Sequence, residues 1–432
     1  MKNVVFLSYY FHPCPIFPVA GERVLRFAKY LPEFGWRAII ITRHWNKNDR
    51  NEISSASDPN RNSILYKYAF ENFVLIRTQS KPLYSEELWQ KANNISDNYK
   101  FLTPIRKIVS IQRRLRVMHT AWGHYVFEAF SELSKKFDIK VIVSSVGPPE
   151  TIKIGDSLGK YWKIPHIIDF RDPWILQFST PLISIIKLPF YKSEIDKAKA
   201  IIETSRTNAD LDSKILRKPL HIIRNSFDDE EFSKEGKKET SGDFFKIIYP
   251  GTLYDDYIPS FITLFEIIKE ITTKNSLVKK KLKFLYYGPS TEKMDKLVSM
   301  FQLNSSVKIN SPVPPEKIPS ILKMGDLLFL PAIGQKYHSG VIPSKLYRYL
   351  AALKPILIYP DTMEEASYIV RSTRSGFICS TKDDLKSTLI ELFNRWKNGG
   401  NIKININMEQ IKNFSARKAT EKLSAILEEV SR

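Results

Sequence analysis

The chain has 432 residues, 43% of them hydrophobic and 26% charged, the balance of a folded globular protein rather than a disordered or fibrous one. That length exceeds one ordinary core and fits two α/β domains, and no apolar run approaches the roughly 20 residues that a membrane-spanning helix needs. A formal net charge of +20 calls for an anionic partner, whether nucleic acid, anionic lipid headgroups or phosphorylated substrates.

In chain order, Val4 to Ser8 is apolar and reads as a buried first strand rather than a signal peptide, because His12 and several prolines follow with no small-residue cleavage pattern. Glu22 to Glu33 carries Val24, Leu25, Ala28 and Leu31 at helical spacing, Gly35 stands at the helix C-cap, and Arg37 to Thr42 closes a βαβ unit. Buried strands are predicted at Val74 to Thr78, Val141 to Ser145, His166 to Asp169 and Ala200 to Thr204, an alternation with helices that argues a parallel sheet. Cys14 and Cys379 are far apart with no C-x-x-C, so neither a disulfide framework nor a zinc site is indicated, and a reducing cytoplasm suits them.

From Asn98 to Phe127 no acidic residue occurs, while Lys100, Arg106, Lys107, Arg113, Arg114 and Arg116 do. Ile108, Ile111, Leu115, Met118 and Trp122 fall at helical spacing, giving one apolar stripe flanked by arginines. Two readings of 100–122 stand: a helix that docks on an anionic membrane surface, or a surface helix whose stripe faces its own core.

Between Asn225 and Asp243 the composition turns polar, with Gly236 and Gly242, as a linker reads. The expected division is a first Rossmann-like domain over 1–228, a linker over 229–243, a second Rossmann-like domain over 244–407 and a C-terminal helix over 408–432. Strands of the second domain are predicted at Lys246 to Tyr249, Leu282 to Tyr287, Val307 to Ile309, Asp326 to Leu330, Pro355 to Tyr359 and Gly376 to Cys379.

Phosphates and sugars bind at the carboxyl ends of parallel strands, where free backbone N–H groups and helix dipoles point. In the second half those junctions read YPGTLYDD with Gly251 and Thr252, YYGPS with Gly288, and LPAIGQKYHSGVIPSKLYRYLAALKPIL from Leu330 to Leu357. In the last, Ser339-Gly340 and Pro343-Ser344 introduce a helix whose first turns carry Lys345, so backbone donors and a cation converge where a diphosphate fits. The plain alternative is a surface loop with a solvated lysine.

At these residues the chain resembles a known family. PSKLYRYLAALKPIL is similar to the donor-site signature of family 4 retaining glycosyltransferases of the GT-B fold; IIDFRDPW resembles a segment of a surface-polysaccharide subgroup, and IIRNSFDDEEF that family's interdomain segment. The resemblance implies two facing Rossmann-like domains, an acceptor on the first, a nucleotide sugar (UDP- or GDP-linked) on the second, no metal or other cofactor, and a C-terminal helix crossing back to the first domain. Carried over by position, Lys345 would touch donor phosphate, Gly251 and Thr252 would lie against the diphosphate, and Ser339, Gly340 and Val341 would adjoin the sugar and phosphates. Gly288, Ser344 and Arg348 join that donor set, Gly21, Arg23 and Asp169 mark the acceptor side, and Asp169, Arg171 and Asp172 would line the interdomain cleft. Lys345, Arg171 and Asp172 are the catalytic candidates, Lys345 as the cation that stabilises the departing diphosphate. For Arg171 a structural salt bridge with Asp169 or Asp172 is the competing reading. The chain departs from the pattern at two points. Arg348 and Gly340 fall where the family has acids, which leaves the donor ribose without its usual acceptor, and HPCPIFPVAG replaces a glycine-rich loop, keeping only Gly21.

The reading is therefore a glycosyltransferase of cell-surface polysaccharide assembly, cytoplasmic or peripheral on the inner membrane face, with a saccharide or lipid-linked acceptor. The alternatives are a non-catalytic relative, motivated by Arg348, and a nucleic-acid binder, for which no RNP pattern, zinc finger or helix-turn-helix is present. The histidines show no nucleophile-base spacing, and His338 beside Ser339 is the one closest to the donor loop in sequence.

Overall fold

A computed structural model describes residues 1–12, 14, 21–44, 52–54, 72–78, 122–171, 189, 191–216, 219–232, 242–289, 292–332, 340–400 and 402–432. Two compact units emerge: one of Met1–Thr204, Ala209–Ile223 and Thr420–Arg432, the other of Ser205–Asn208 and Arg224–Ala419. Each is an α/β unit built on a parallel sheet.

In the first unit the described strands are β1 (Lys2–Leu7), β2 (Trp36–Arg43), β3 (Glu52–Ser54), β4 (Phe73–Thr78), β5 (Ile139–Ser145), β6 (His166–Phe170), β7 (Ala200–Glu203) and β8 (His221–Ile222). They run β3-β4-β2-β1-β5-β6-β7-β8 across the sheet, with β3 antiparallel to β4 and the other pairs parallel. The long strands are apolar along most of their length because helices cover both faces. Among those helices are α1 (Glu22–Tyr30), α2 (Trp122–Lys136), α3 (Glu150–Trp162) and α4 (Arg206–Leu216). β1 pairs with β2 on one side and β5 on the other, so the strand order reverses there.

Local signals explain the start of this unit. Gly21 precedes α1 at φ +87°, and a Cβ there would come 3.0 Å from Phe11 Cα, so only glycine fits that turn. Gly35 closes the short 3-10 turn Leu31–Phe34 at φ +80°, its N–H on the Pro32 carbonyl at 3.2 Å, as its place in the sequence predicts. A methyl at Gly35 meets nothing within 4 Å, so Gly35→Ala carries only the left-handed backbone penalty. We expect about 1 kcal/mol of lost stability, read as a lower midpoint in chemical denaturation.

The second unit holds β9 (Phe245–Pro250), β10 (Leu282–Tyr287), β11 (Val307–Asn310), β12 (Leu327–Pro331), β13 (Ile356–Tyr359) and β14 (Gly376–Ile378), all parallel, in the order β11-β10-β9-β12-β13-β14. Its helices are α5 (Ile258–Lys274), α6 (Ser276–Lys281), α7 (Glu292–Met300), α8 (Ile318–Met324), α9 (Ser344–Ala352), α10 (Glu364–Thr373), α11 (Lys382–Gly399) and α12 (Met408–Lys412); α13 (Ala416–Val430) follows. The period of two sends Phe245, Ile247 and Tyr249 of β9 into a core with α5, α7 and α11, and Ile248 into another with α8, α9 and α10. Here the order reverses between β9 and β12.

The structure corrects the expected linker and C-terminal helix. Residues 225–232 are tied into the second unit: Phe227 exchanges backbone hydrogen bonds with Phe414 (3.1 Å) and Ala416 (2.8 Å), and Lys323 donates to the Phe232 carbonyl at 3.0 Å. Only 233–241 of the polar stretch lies outside the described residues. The same bonds break the continuous helix expected over 408–432 into α12 and α13, since Phe414 and Ser415 are drawn into pairing with Phe227. Residues Thr420–Arg432 belong to the first unit, where Glu428 accepts hydrogen bonds from Lys2 (2.5 Å) and Trp36 (2.8 Å).

Most of the basic stretch lies outside the described residues, but Trp122 does not. It is fully buried, and its indole N–H donates to Thr78 Oγ1 at 2.7 Å, so this member of the apolar stripe faces its own core. Among the described residues no helix is long and apolar enough to cross a membrane.

Candidate functional site

In the second unit the carboxyl ends of β9, β10 and β12 converge where the strand order reverses. Gly251 follows β9 at φ +131°, and a Cβ there would stand 2.7 Å from Lys345 Nζ. Gly288 follows β10, and a Cβ there would overlap the Gly251 carbonyl and come 2.5 Å from Tyr286 Oη. Both positions must be glycine for the strand ends and the lysine to approach this closely. Thr252 comes next along the chain, its carbonyl taking the Tyr249 hydroxyl at 2.8 Å.

Lys345 is the second residue of α9, so it extends from the first turn of a helix whose leading N–H groups have no intrahelical acceptor. Its half-buried amine lies 5.1 Å from the centre of the Tyr249 ring and 5.9 Å from that of Tyr257. Burial pushes its pKa down to about 8, and the charge of Arg348 one turn along α9 adds to the effect. Among the described residues no carboxylate is paired with it. A partly desolvated cation thus stands at a helix N-terminus with no counter-charge among the described residues, an arrangement that favours an incoming anion. The flanking Tyr249 and Tyr257 rings are site residues that the sequence reading did not single out.

Ser344 opens α9 and is exposed, Val341 is half-buried, and Ser339, like His338, lies outside the described residues. Gly340 is fixed from a distance in sequence: a Cβ there would come 2.7 Å from Asn208 Cγ and 3.1 Å from Ser205 Oγ, and Asn208 Nδ2 donates to its carbonyl at 3.3 Å. A side chain at 340 would have to displace the Asn208 amide. Arg348 faces Glu231, with Nε 3.5 Å from Oε1, so a carboxylate stands beside the cation that replaces the expected acid.

The predicted residues Gly21, Arg23, Asp169 and Arg171 belong to the first unit, at its own strand-order reversal. Arg23 grips Asp169 with Nε at 2.9 Å from Oδ2 and Nη2 at 2.8 Å from Oδ1, the two side chains 8% and 2% exposed. The charges of both are satisfied by each other in the core. Of the ion pairs weighed for Arg171, that with Asp169 is therefore replaced by Arg23, and Asp172 lies outside the described residues. The Arg171 guanidinium instead lies 5.9 Å above the Tyr10 ring and against Gly147, where a Cβ would come 2.7 Å from Nη2.

Two acidic features have no counterpart in the sequence reading. Glu203, at the end of β7, and Asp212, on α4, are 0% and 2% exposed and have no basic partner among the described residues. Desolvation, with the adjoining acid second, holds Glu203 well above the ordinary carboxylate range; desolvation raises Asp212 to about 6. Glu365, in the first turn of α10, accepts from the Thr207 backbone N–H at 2.9 Å and from Arg224 Nη2 at 3.0 Å. Burial alone would raise its pKa, but the Arg224 and Thr207 bonds outweigh it and hold the carboxyl below its usual value.

No protein-family model matches the chain, and no curated protein matches it in sequence. Solved structures do match its fold. A glycosyltransferase from Rickettsia africae superposes with a TM-score of 0.62 at 12% identity, over 99% of this chain and 98% of that one. Sucrose-phosphate synthase from Thermosynechococcus elongatus gives 0.58 at 13% identity, over 100% and 96%. HepE from Anabaena, solved with UDP and glucose, gives 0.58 at 11% identity, over 99% and 100%. The fold is the two-domain α/β fold of GT-B glycosyltransferases.

Proposed function

We propose that the chain is a glycosyltransferase that holds a nucleotide-sugar donor by its diphosphate at Gly251 and Lys345 and passes the sugar to a saccharide or lipid-linked acceptor in cell-surface polysaccharide assembly. The observation that carries the reading is the half-buried ammonium of Lys345 over Gly251, uncompensated among the described residues, at the strand-order reversal of the second sheet. The fold shared with glycosyltransferases supports it.

The chemistry follows from that cation. The bond between the sugar's anomeric carbon and the diphosphate oxygen breaks, the acceptor oxygen takes the carbon, and the acceptor's hydroxyl proton passes to the departing diphosphate oxygen or to water. Negative charge grows on the diphosphate as the bond lengthens, and an ammonium with the N–H groups of a helix start stabilises it in a partly dried site. A lysine in this role makes a metal ion unnecessary, so transfer is expected to persist in excess chelator. Resemblance to the family 4 signature supports retention of configuration, and the +20 charge supports work at the anionic inner face of a membrane.

Calorimetry with UDP and GDP tests the reading. One of the two should bind, and Lys345→Ala should weaken it by about 10- to 100-fold, the worth of one charge-assisted hydrogen bond in a desolvated site. Binding of neither nucleotide would remove the proposal. The pH profile supplies a second check. The ammonium is the binding form, and with a pKa of about 8 its share in the free protein falls as pH rises past that value. Affinity should therefore drop about tenfold between pH 7 and 9, and Lys345→Arg should abolish the drop.

A further inference from the structure

Asn208 comes from a part of the chain 132 residues before Gly340, yet its carboxamide lies directly on the Gly340 peptide. The side chain is 3% exposed, and its Nδ2 donates to the Gly340 carbonyl at 3.3 Å. Its own backbone N–H is held by Ser205 Oγ at 3.2 Å, and Ser205 is fully buried. A methyl at 340 would overlap the Asn208 amide, so the two groups define each other's position.

The segment that carries Asn208 is itself anchored. Glu365 accepts the backbone N–H of Thr207 at 2.9 Å and its hydroxyl at 3.3 Å, placing a carboxylate at the positive end of α4. The second Glu365 oxygen takes Arg224 at 3.0 Å. Ser205–Asn208 accordingly belongs with the second unit rather than with the rest of α4. Five residues after Gly340 stands Lys345, in the first turn of α9 with its leading N–H groups.

We infer that Asn208 is a positioning residue for the donor: clamped by Ser205 and Glu365, it fixes the Gly340 peptide and with it the backbone that leads into α9, so that N–H groups and Lys345 meet the diphosphate together. The inference rests on the nucleotide-sugar reading of this site. Asn208 acts through Gly340 and does not touch the reacting atoms. A backbone displaced by about 1 Å degrades every hydrogen bond that depends on it, because these interactions weaken steeply with distance and angle.

The test is a binding cycle with UDP and GDP on four proteins: wild type, Asn208→Ala, Gly340→Ala and the double variant. Each single variant should bind the preferred nucleotide at least about tenfold more weakly, and the double variant should bind more tightly than Gly340→Ala alone, because removing the amide clears the space that the new methyl needs. Denaturation midpoints of the same proteins separate the roles: a positioning residue weakens binding in Asn208→Ala while stability is kept, and a purely structural one lowers both together. Should Asn208→Ala fail to fold, Asn208→Ser, too short to reach the Gly340 carbonyl, tests the same contact. Wild-type affinity in Asn208→Ala, or in Gly340→Ala, overturns the inference while leaving the donor site standing. If the wild type binds neither nucleotide, the nucleotide reading falls and the inference with it.

Discussion

Asp169→Ala is expected to destabilise the first unit by about 3–5 kcal/mol, because it removes the carboxylate that holds two nitrogens of the Arg23 guanidinium in a core where that side chain is 8% exposed. The mechanism is desolvation. A charge that has left water must be compensated, and Asp169 does so through two short bonds from one guanidinium. Arg23→Ala should be as harmful for the mirror-image reason. Replacing both partners by apolar residues of similar size, Arg23→Met with Asp169→Leu, removes both buried charges together and should recover most of the loss. Guanidinium unfolding of the three variants decides it; a wild-type midpoint in either single variant would mean that the pair is not the brace between the start of α1 and the end of β6 that the geometry shows.

Glu203→Gln is expected to act in the opposite sense and stabilise the protein above neutral pH. In the unfolded chain both acids titrate near pH 4, whereas in the fold Asp212 is raised to about 6 and burial holds Glu203 well above its ordinary range. A raised folded pKa means that the folded state holds the proton more tightly. The stability this gives is full below about pH 4 and is lost as pH rises through about 6 and beyond. At pH 8 the wild type therefore bears the cost of two carboxyls buried without a basic partner among the described residues. The carboxamide that replaces the Glu203 carboxyl carries no charge at any pH and brings an N–H donor beside Asp212. It should raise stability at pH 8 by on the order of 2 kcal/mol while changing little at pH 5. Melting curves at the two pH values check it, and a variant destabilised equally at both would show that ionising the Glu203 carboxyl is not what costs stability at pH 8.

What the sequence makes legible is what is local. Apolar runs place the long strands within a residue or two, since a strand covered on both faces must be apolar throughout. β3 and β8 go unseen because three and two residues are too few to carry a period. The candidate site is partly legible for the same reason: a glycine at a strand end and a lysine one residue into a helix are short-range signals, and the fold brings Gly251, Gly288 and Lys345 together. The grip of Arg23 on Asp169 spans 146 positions and that of Asn208 on Gly340 spans 132, and nothing near either residue announces its partner. Glu203 carried a faint signal, an acid closing the apolar run AIIE, but its partner Asp212 could be found only once α4 was laid against the sheet.

The hold of Glu428 on Lys2 and Trp36 bears on how the molecule is made. Synthesis runs from the amino end and domains tend to form as they emerge, yet the first unit counts Thr420–Arg432 among its parts. The ribosome must travel past Glu428 before β1 and β2 meet that neighbour. Through that interval the second unit can be complete while the first still lacks a side, so nascent chains stalled short of Thr420 should need more chaperone protection over the first unit than over the second.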